Sequence, residues 1–404
     1  MIYEPNDSWE ILGGFSYQYS GTFPKTNDLK LPLNQDFYKP FSTKRPAPDP
    51  NFGFFGYNPL RFQNTSGFLQ TTFKYERTSV VAGARYDEHS LYGKSINPRI
   101  AVIQKLGKNS SLRASYTEGF RGPPIYDLYN SIATGTIEDG VFYLAVPSPD
   151  LKPEKLRSYE LGFRSSFWKR LSLEIIGFHN YTTNRFSNIA VRRDPVLYPN
   201  STQDKVSSTG NIGNSTLNGL DIIVEIPNIY KPYELSLTIS NSFAKGTELF
   251  PSQAEGDQTD LEVAILDAIY ENRNQIDTYR TVPNRMTKVR VSWKLWRKWF
   301  FAFDYTNSDP WYSRSIRTQQ QYKEAEFNAT YNPYFIKRRV DGFNIVDFNT
   351  YFQFTSYFRL IGKVTNLTNS IYSGKGAYES SDNMEINPQF RRSFYLGMEV
   401  NYKF

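Results

Sequence analysis

The sequence predicts an all-β protein, an antiparallel transmembrane β-barrel with about 14 strands in this chain. Three observations support this: apolar and polar residues alternate, connections alternate in length, and the composition is unusual. Aromatic residues make up 17% of the 404 residues, although only 39% of residues are hydrophobic and the mean hydropathy is −0.55. Strands that present one face to lipid and the other to water combine these two properties.

The last segment of the chain shows the alternation clearly. From Phe394 to Phe404 every second residue is apolar, while the residues between them, from Tyr395 to Lys403, are mostly polar. Such a segment fits a strand that lies between two different environments. Similar segments of roughly ten residues, long enough to cross a bilayer at a tilt, recur along the chain. They cover residues 9–20, 66–75, 79–87, 97–106, 110–120, 156–167, 171–182, 217–227, 233–246, 286–295, 299–310, 343–354, 357–369 and 391–404.

The connections between these segments alternate between short turns and long loops. Short turns are predicted around Glu76, Lys108, Lys169, Asn228, Arg297 and Thr355. The long loops, rich in Gly, Pro, Asn and Ser, are 21–65, 121–155, 183–216, 247–285, 311–342 and 370–390. In the fourth of these, Thr259 to Glu262 fits a capping box and predicts one helix. Soluble sandwiches and propellers remain alternatives, but only a transmembrane barrel requires this alternation.

Charge and hydropathy argue against several partners. Lys and Arg number 47 against 40 Asp and Glu, giving +7, but no run of five or six like charges occurs and no nucleic-acid partner is expected. Lys294 to Lys298, interleaved with Trp293, Trp296 and Trp299, is interpreted as a tight turn with interfacial aromatics rather than a nucleic-acid platform. No apolar run reaches the ~18 residues of a membrane helix, and no signal peptide is recognised.

Catalytic chemistry has little support. The chain has no Cys and two His, and it contains no recognisable metal, phosphate-loop or nucleophile motif, so neither an enzyme nor a cofactor is expected. Asp87, Glu88 and His89 are interpreted as a solvated loop at a strand end rather than as a catalytic group. His179 is interpreted as structural.

Several short strings occur in a characteristic order and spacing. They are Asn97-Pro98-Arg99, Ser115 to Pro124, Pro149 to Glu154, Tyr159 to Gly162, Asn211 to Gly213, Asn218 to Asp221, Val282 to Arg285, Val364 to Asn369 with Tyr372, Arg391 to Phe394, and Phe404. Gly162 and Gly219 are each expected to mark a close approach or a bulge on the lumen side. The Asn-Leu-Thr-Asn string is expected to bond its own turn.

As an ordered set, these strings resemble the C-terminal half of the barrel of TonB-dependent outer-membrane receptors. The resemblance runs from about residue 66 to the end and more weakly back to residue 9. It implies a barrel of about 22 strands with a plugged lumen. No plug domain or TonB box is recognised within residues 1–404, so the chain is interpreted as the C-terminal part of such a receptor.

The resemblance also implies a location and partners. These are the outer membrane of a Gram-negative-type bacterium and its lipid, TonB acting through a plug domain, and the barrel-assembly machinery, whose recognition signal Phe404 resembles. The implied function is active uptake of a scarce nutrient, most often a ferric siderophore and less often a cobalamin, haem or glycan. A passive barrel channel and a surface adhesion or binding barrel remain alternatives.

Ligand contacts are expected from cations and aromatic rings in the long loops, because these groups suit an anionic or aromatic ferric chelate. The candidates are Arg121, Tyr126, Tyr129, Arg192, Arg193, Trp311, Tyr312 and Arg314.

Overall fold

Among the residues that the computed structural model describes, most are in strands, accompanied by one short α-helix and one 3₁₀ turn. In the part of the chain that the structure describes, no helix is long and apolar enough to span a membrane. The structure describes residues 2–22, 55–56, 60–129, 131–136, 140–145, 148, 150–167, 170–192, 205–211, 214–249, 282–312, 339–375 and 386–401.

The strands are numbered in chain order. They are β1 (Ile2–Asn6), β2 (Trp9–Thr22), β3 (Phe55–Gly56), β4 (Leu60–Tyr75), β5 (Thr78–His89), β6 (Gly93–Lys105), β7 (Ser110–Arg121), β8 (Ser131–Thr136), β9 (Gly140–Ala145), β10 (Glu154–Phe167), β11 (Leu171–Thr183), β12 (Phe186–Arg192), β13 (Lys205–Asn211), β14 (Asn214–Tyr230), β15 (Leu235–Leu249), β16 (Arg285–Leu295), β17 (Trp299–Ser308), β18 (Trp311–Tyr312), β19 (Arg339–Val340), β20 (Phe343–Gln353), β21 (Phe358–Thr365), β22 (Ser373–Lys375), β23 (Ile386–Pro388) and β24 (Ser393–Val400). The helix α1 covers Ile125–Tyr129, and Lys231–Tyr233 forms the 3₁₀ turn.

The main sheet has 15 antiparallel strands in the order β1-β2-β4-β5-β6-β7-β10-β11-β14-β15-β16-β17-β20-β21-β24. All the predicted strands are confirmed within it. β1 is an addition that the sequence did not predict, because five residues that include Pro5 are too few to show alternation. Among the described residues β1 and β24 are not paired with each other, so the sheet is open there.

The predicted short turns are confirmed, and they lie together at one end of the main sheet, the short-turn end. The basic stretch at Lys294 forms such a turn, in which Trp296 and Arg297 both have positive φ angles. The long connections lie at the opposite, long-loop end. One connection there is also short, since only residues 90–92 separate β5 from β6.

Strand register separates two faces of the main sheet, because directly paired residues point to the same side. One row of pairs joins Val291, Phe303, Phe348, Val364 and Phe394 on what we call the apolar face. On the opposite, polar face Arg290 pairs with Asp304, which pairs with Asp347. The predicted division between lipid and water is therefore present in the fold.

The two glycines predicted to mark close approaches differ. At Gly219 a Cβ atom would lie 2.1 Å from Cζ of Phe178, whose ring covers the glycine from the neighbouring strand. At Gly162 the nearest heavy atom would be 3.7 Å away, an ordinary contact. The prediction is confirmed for Gly219 and wrong for Gly162, because close approach depends on which residue faces the glycine across the ladder.

Three of the long connections join into a second sheet at the long-loop end, with five strands in the order β12-β13-β9-β8-β3. β13 and β9 pair in parallel through Ser207 and Ala145. This loop sheet links connections that are far apart in the sequence. The helix predicted at Thr259 lies outside the described residues.

Candidate functional site

The long-loop end contains the candidate site, which begins with a small apolar core under the loops. Leu128 of α1 and Leu151 are buried, and Ile125, Leu91, Tyr92 and Phe186 pack against them. The backbone N–H of Ser148 donates to the carbonyl oxygen of Asp127 at 2.8 Å. Burial raises the pKa of the Asp127 carboxyl, and the charge of Arg121 partly opposes this shift.

Arg121, Glu154 and Phe186 form a cross-link that we call the Arg121 latch. The Arg121 guanidinium donates to Oε1 of Glu154 at 2.8 Å, and the backbone N–H of Phe186 donates to the same oxygen at 2.7 Å. The guanidinium carbon also lies 5.1 Å from the centroid of the Phe186 ring. These contacts hold β12 of the loop sheet against β7 and β10, yet 66% of the Arg121 side chain remains exposed.

Asn211 at the end of β13 anchors the loop sheet a second time. Its Nδ2 donates to the carbonyl oxygens of Lys152 and Asn184, both at 2.8 Å, and its Oδ1 accepts from the Lys152 N–H at 2.8 Å. The hydroxyls of Ser148 and Ser208 lie 2.6 Å apart. Asn suits position 211 because its side-chain amide can donate and accept hydrogen bonds at the same time.

The interpretation of Asp87, Glu88 and His89 as a solvated loop is wrong. β5 continues through His89, and both Asp87 and His89 are buried on the polar face. Asp87 accepts from Nε and Nη2 of Arg85, each at 2.8 Å. The His89 ring stacks on Tyr92 at 4.0 Å. Burial raises the pKa of the Tyr92 hydroxyl, and the Asp87 charge adds to this shift.

Asn366 ties together the opposite part of the long-loop end. Its side chain is 1% exposed, and it accepts from the Ser370 N–H at 2.9 Å while donating to the Ser370 carbonyl at 2.7 Å. It also accepts from the Thr368 hydroxyl at 3.2 Å and donates to the Phe390 carbonyl at 3.4 Å. The Asn366 N–H donates to Asp347 at 2.7 Å. The prediction that this string bonds its own turn is confirmed.

The structure places three of the predicted ligand-contact residues near one another and a fourth at a distance. Arg121 lies in the latch, Tyr126 and Tyr129 lie on α1, which follows it in the chain, and Arg192 lies at the end of β12 away from Phe186. The Arg121 side chain is 66% exposed.

The other candidates are separate from the latch or outside the description. Trp311 and Tyr312 form β18, where Trp311 pairs with Val340 and is only 4% exposed, so its ring packs inside the loops. Arg193, Arg314 and the terminal Phe404 lie outside the described residues. Within the described ranges, no group of acidic and His side chains could hold a metal ion.

Glu154 and Phe186 are important residues of the site that sequence reasoning missed. Glu154 is the last residue of the Pro149 string and could have been recognised there as a carboxylate entering a strand after a proline. Nothing in the sequence around Phe186 predicts its role. Its backbone N–H bonds Glu154 and its ring contacts Arg121 only because the fold brings these residues together.

The fold and the site define a class of protein. A long antiparallel sheet with one apolar face, one polar face, tight turns at one end and elaborate loops at the other is a transmembrane β-barrel of the outer-membrane type.

The family follows from the sequence. The family model described as "TonB dependent receptor-like, beta-barrel" matches residues 2–367, and the chain belongs to this family of transport receptors. The resemblance noted in the sequence is thereby confirmed. No curated protein matches the chain.

Solved structures share the fold at low sequence identity. A ferric enterobactin receptor from Pseudomonas aeruginosa is 11% identical with a TM-score of 0.68, over 98% of this chain and 51% of that one. The siderophore receptor PirA from Acinetobacter baumannii is 12% identical with a TM-score of 0.64, over 100% and 53% of the two chains. The FrpB iron transporter from Neisseria meningitidis is 12% identical with a TM-score of 0.63, over 99% and 53%. The chain thus spans about half the length of the structures it matches.

Proposed function

We propose that this protein is an outer-membrane receptor for active uptake of a ferric siderophore in a Gram-negative-type bacterium. In this proposal the chain supplies the C-terminal part of the barrel, and TonB acts through a plug domain. The observation that carries the proposal is the loop layer at the long-loop end, where the Arg121 latch and Asn211 fix several loops in one arrangement. Preorganised loops lower the entropic cost of capturing a dilute ligand.

The chemistry of the layer supports an anionic, aromatic ligand. The Arg121 side chain remains 66% exposed although one of its nitrogens is engaged by Glu154, and a guanidinium binds carboxylate or catecholate oxygens through parallel hydrogen bonds. Tyr126 and Tyr129 lie on α1, which follows β7 directly, and Arg192 is the last residue of β12. We therefore propose ligand contact for Arg121, Tyr126, Tyr129, Arg192, Arg193, Tyr312 and Arg314, whereas Trp311, which is 4% exposed, would support them by packing.

The polar face suits a lumen with a polar content. Ion pairs line it at Arg85–Asp87, Arg113–Glu160, Arg290–Asp304 and Arg359–Glu399. Such a surface suits a polar, hydrated occupant such as a plug that TonB could remodel. Assembly of the barrel would use Phe404 as the recognition signal.

The test is uptake of iron-55 carried by enterobactin into cells that depend on this protein. Uptake should be lost when the gene is deleted and also when TonB is removed. Replacing Arg121, Arg192, Arg193 and Arg314 together with Tyr126, Tyr129 and Tyr312 by Ala should weaken binding by at least about tenfold, because a charge-assisted hydrogen bond contributes about 1.5–3 kcal/mol. Arg77→Ala, at the short-turn end, is the matched control and should bind normally.

Other results would favour the alternatives. Uptake that continues without TonB, together with ion conductance in a planar bilayer, would favour a passive channel. Binding without any uptake would favour a surface adhesion barrel.

A further inference from the structure

Charged side chains on the apolar face are confined to one height. In β7, β10, β11, β14 and β15, register puts Glu118, Lys155, Arg157 and Lys245 on this face, all near the long-loop end. Further along the same face the positions are apolar, as at Leu161, which pairs with Ala114 and Gly177. The charges therefore mark the level at which the hydrocarbon region ends, since a lysine facing lipid is costly at mid-bilayer and nearly free at the interface.

The side chains between these charges form one connected polar and aromatic surface. A row of pairs runs Tyr116, Tyr159, His179, Asn218 and Lys245 across five adjacent strands. Ring centroids of Tyr116 and Tyr159 are 4.9 Å apart, and those of Tyr159 and His179 are 6.0 Å apart. His179 Nδ1 lies 2.6 Å from Asn218 Oδ1. Aromatic and polar groups in this mixture are typical of the lipid headgroup level.

The cations of this surface are only partly neutralised. Arg157 Nε lies 3.3 Å from Glu118, and half of the Arg157 side chain is exposed. Lys155 and Lys245 are exposed, and among the described residues neither has an ion-pair partner. With Glu118 included, the surface carries a net positive charge at a place where the membrane offers headgroups.

We propose that Lys155, Arg157 and Lys245, which we name the outer cationic patch, bind phosphate groups of anionic lipid headgroups in the leaflet at the long-loop end. Lys155 and Arg157 are two residues apart on one strand, about 7 Å, and can share one phosphate. Lys245 lies three strands away and two residues further from the long-loop end than Arg157, about 16 Å from it, and takes a second. The site faces lipid rather than the lumen, so it stands independently of the transported ligand.

The test measures lipid selectivity of the full-length protein in detergent micelles. Native mass spectrometry counts the phosphatidylglycerol and phosphatidylcholine molecules that the protein retains from an equimolar mixture. Near an anionic surface each lysine contributes about a fivefold preference, so Lys155→Gln with Lys245→Gln should lower the preference for phosphatidylglycerol roughly 25-fold.

Two further variants keep the result interpretable. Lys288→Gln with Lys363→Gln removes the same charge from the polar face and should leave the preference unchanged. Lys155→Arg with Lys245→Arg keeps the charge and should also leave it unchanged, which separates charge from any effect of substitution on folding.

Three outcomes would overturn the proposal. They are an unchanged preference in the outer glutamine variant, an equal loss in the polar-face variant, and a loss in the arginine variant. Displacement of phosphatidylglycerol by inorganic phosphate, beyond that caused by chloride at equal ionic strength, would also overturn the assignment to a lipid headgroup.

Discussion

The two ends of the barrel strands are held together by different interactions. At the short-turn end the contacts are between aromatic rings on adjacent strands, such as Trp9 with Phe73 at 4.7 Å and Trp293 with Phe301 at 5.3 Å. At the long-loop end a small apolar core is accompanied by polar contacts that join distant parts of the chain, as Glu154 joins Phe186 and Asn366 joins Phe390. The first end is built from local hairpins, whereas the second exists only after several loops have met.

The difference has an energetic consequence. Rings at the short-turn end are surrounded by lipid, which is as apolar as they are, so their contacts gain little from the hydrophobic effect. Polar groups buried at the long-loop end must be satisfied by protein partners, and removing one partner leaves another without a bond. Substitutions should therefore be more costly at the long-loop end.

Asn366→Ala should give the largest loss. It removes four side-chain hydrogen bonds, each contributing about 1 kcal/mol, so the free energy of unfolding in urea should fall by roughly 3–4 kcal/mol. Asn369→Ala is the control, because Asn369 also has a positive φ angle but its side chain accepts one bond, at 3.3 Å from Arg392. Equal losses in the two variants would show that backbone strain, not the buried bonds, holds this turn.

Glu154→Gln should release the loop sheet without disturbing the main sheet. Losing the charge that binds Arg121 and the Phe186 N–H should cost about 2 kcal/mol, which corresponds to about 30-fold faster tryptic cleavage beside β12. Glu160→Gln removes a similar carboxylate, paired with Arg113 on the polar face, and should leave the cleavage rate unchanged. Unaltered cleavage in Glu154→Gln would mean that the latch does not hold the layer.

Trp299→Ala should have the smallest effect and tests the short-turn end. Its indole N–H donates to Thr350 at 2.9 Å and its ring meets Phe352 edge-on, so we expect a loss of about 1 kcal/mol in the same urea titration. Trp296→Ala, at a ring that is 71% exposed in the same turn, should cost almost nothing. If Trp299→Ala were as costly as Asn366→Ala, the contrast between the two ends would not hold.

The parts of this architecture that depend on local pattern were predictable from the sequence. Apolar and polar residues alternate along the segment that ends in Val400, and this alternation predicts a strand with one apolar and one polar face. The turn at Arg297 is predicted because the alternation stops there. The short strand β1 was not predicted, because alternation cannot be recognised over five residues.

The site was less predictable because its contacts are non-local. Nothing near Asp87 in the sequence indicates that β5 continues to His89 and that the neighbouring strands bury the Asp87 carboxylate. Similarly, Gly162 and Gly219 occur in comparable strings, and only the identity of the cross-strand neighbour distinguishes them. Arg121 was recognised as a loop cation, but its partner Glu154 could be assigned only from the fold.

The order of strands also implies an order of assembly. In the main sheet every strand pairs with the next main-sheet strand along the chain, and the pairs joined by a short turn can form as hairpins with a short search. The loop sheet instead pairs Phe55 with Ile132 and Ser207 with Ala145, contacts that close long stretches of chain. We therefore expect the loop sheet to form after the main-sheet strands have paired, because those strands bring its members together. The surface at the long-loop end would then be completed last.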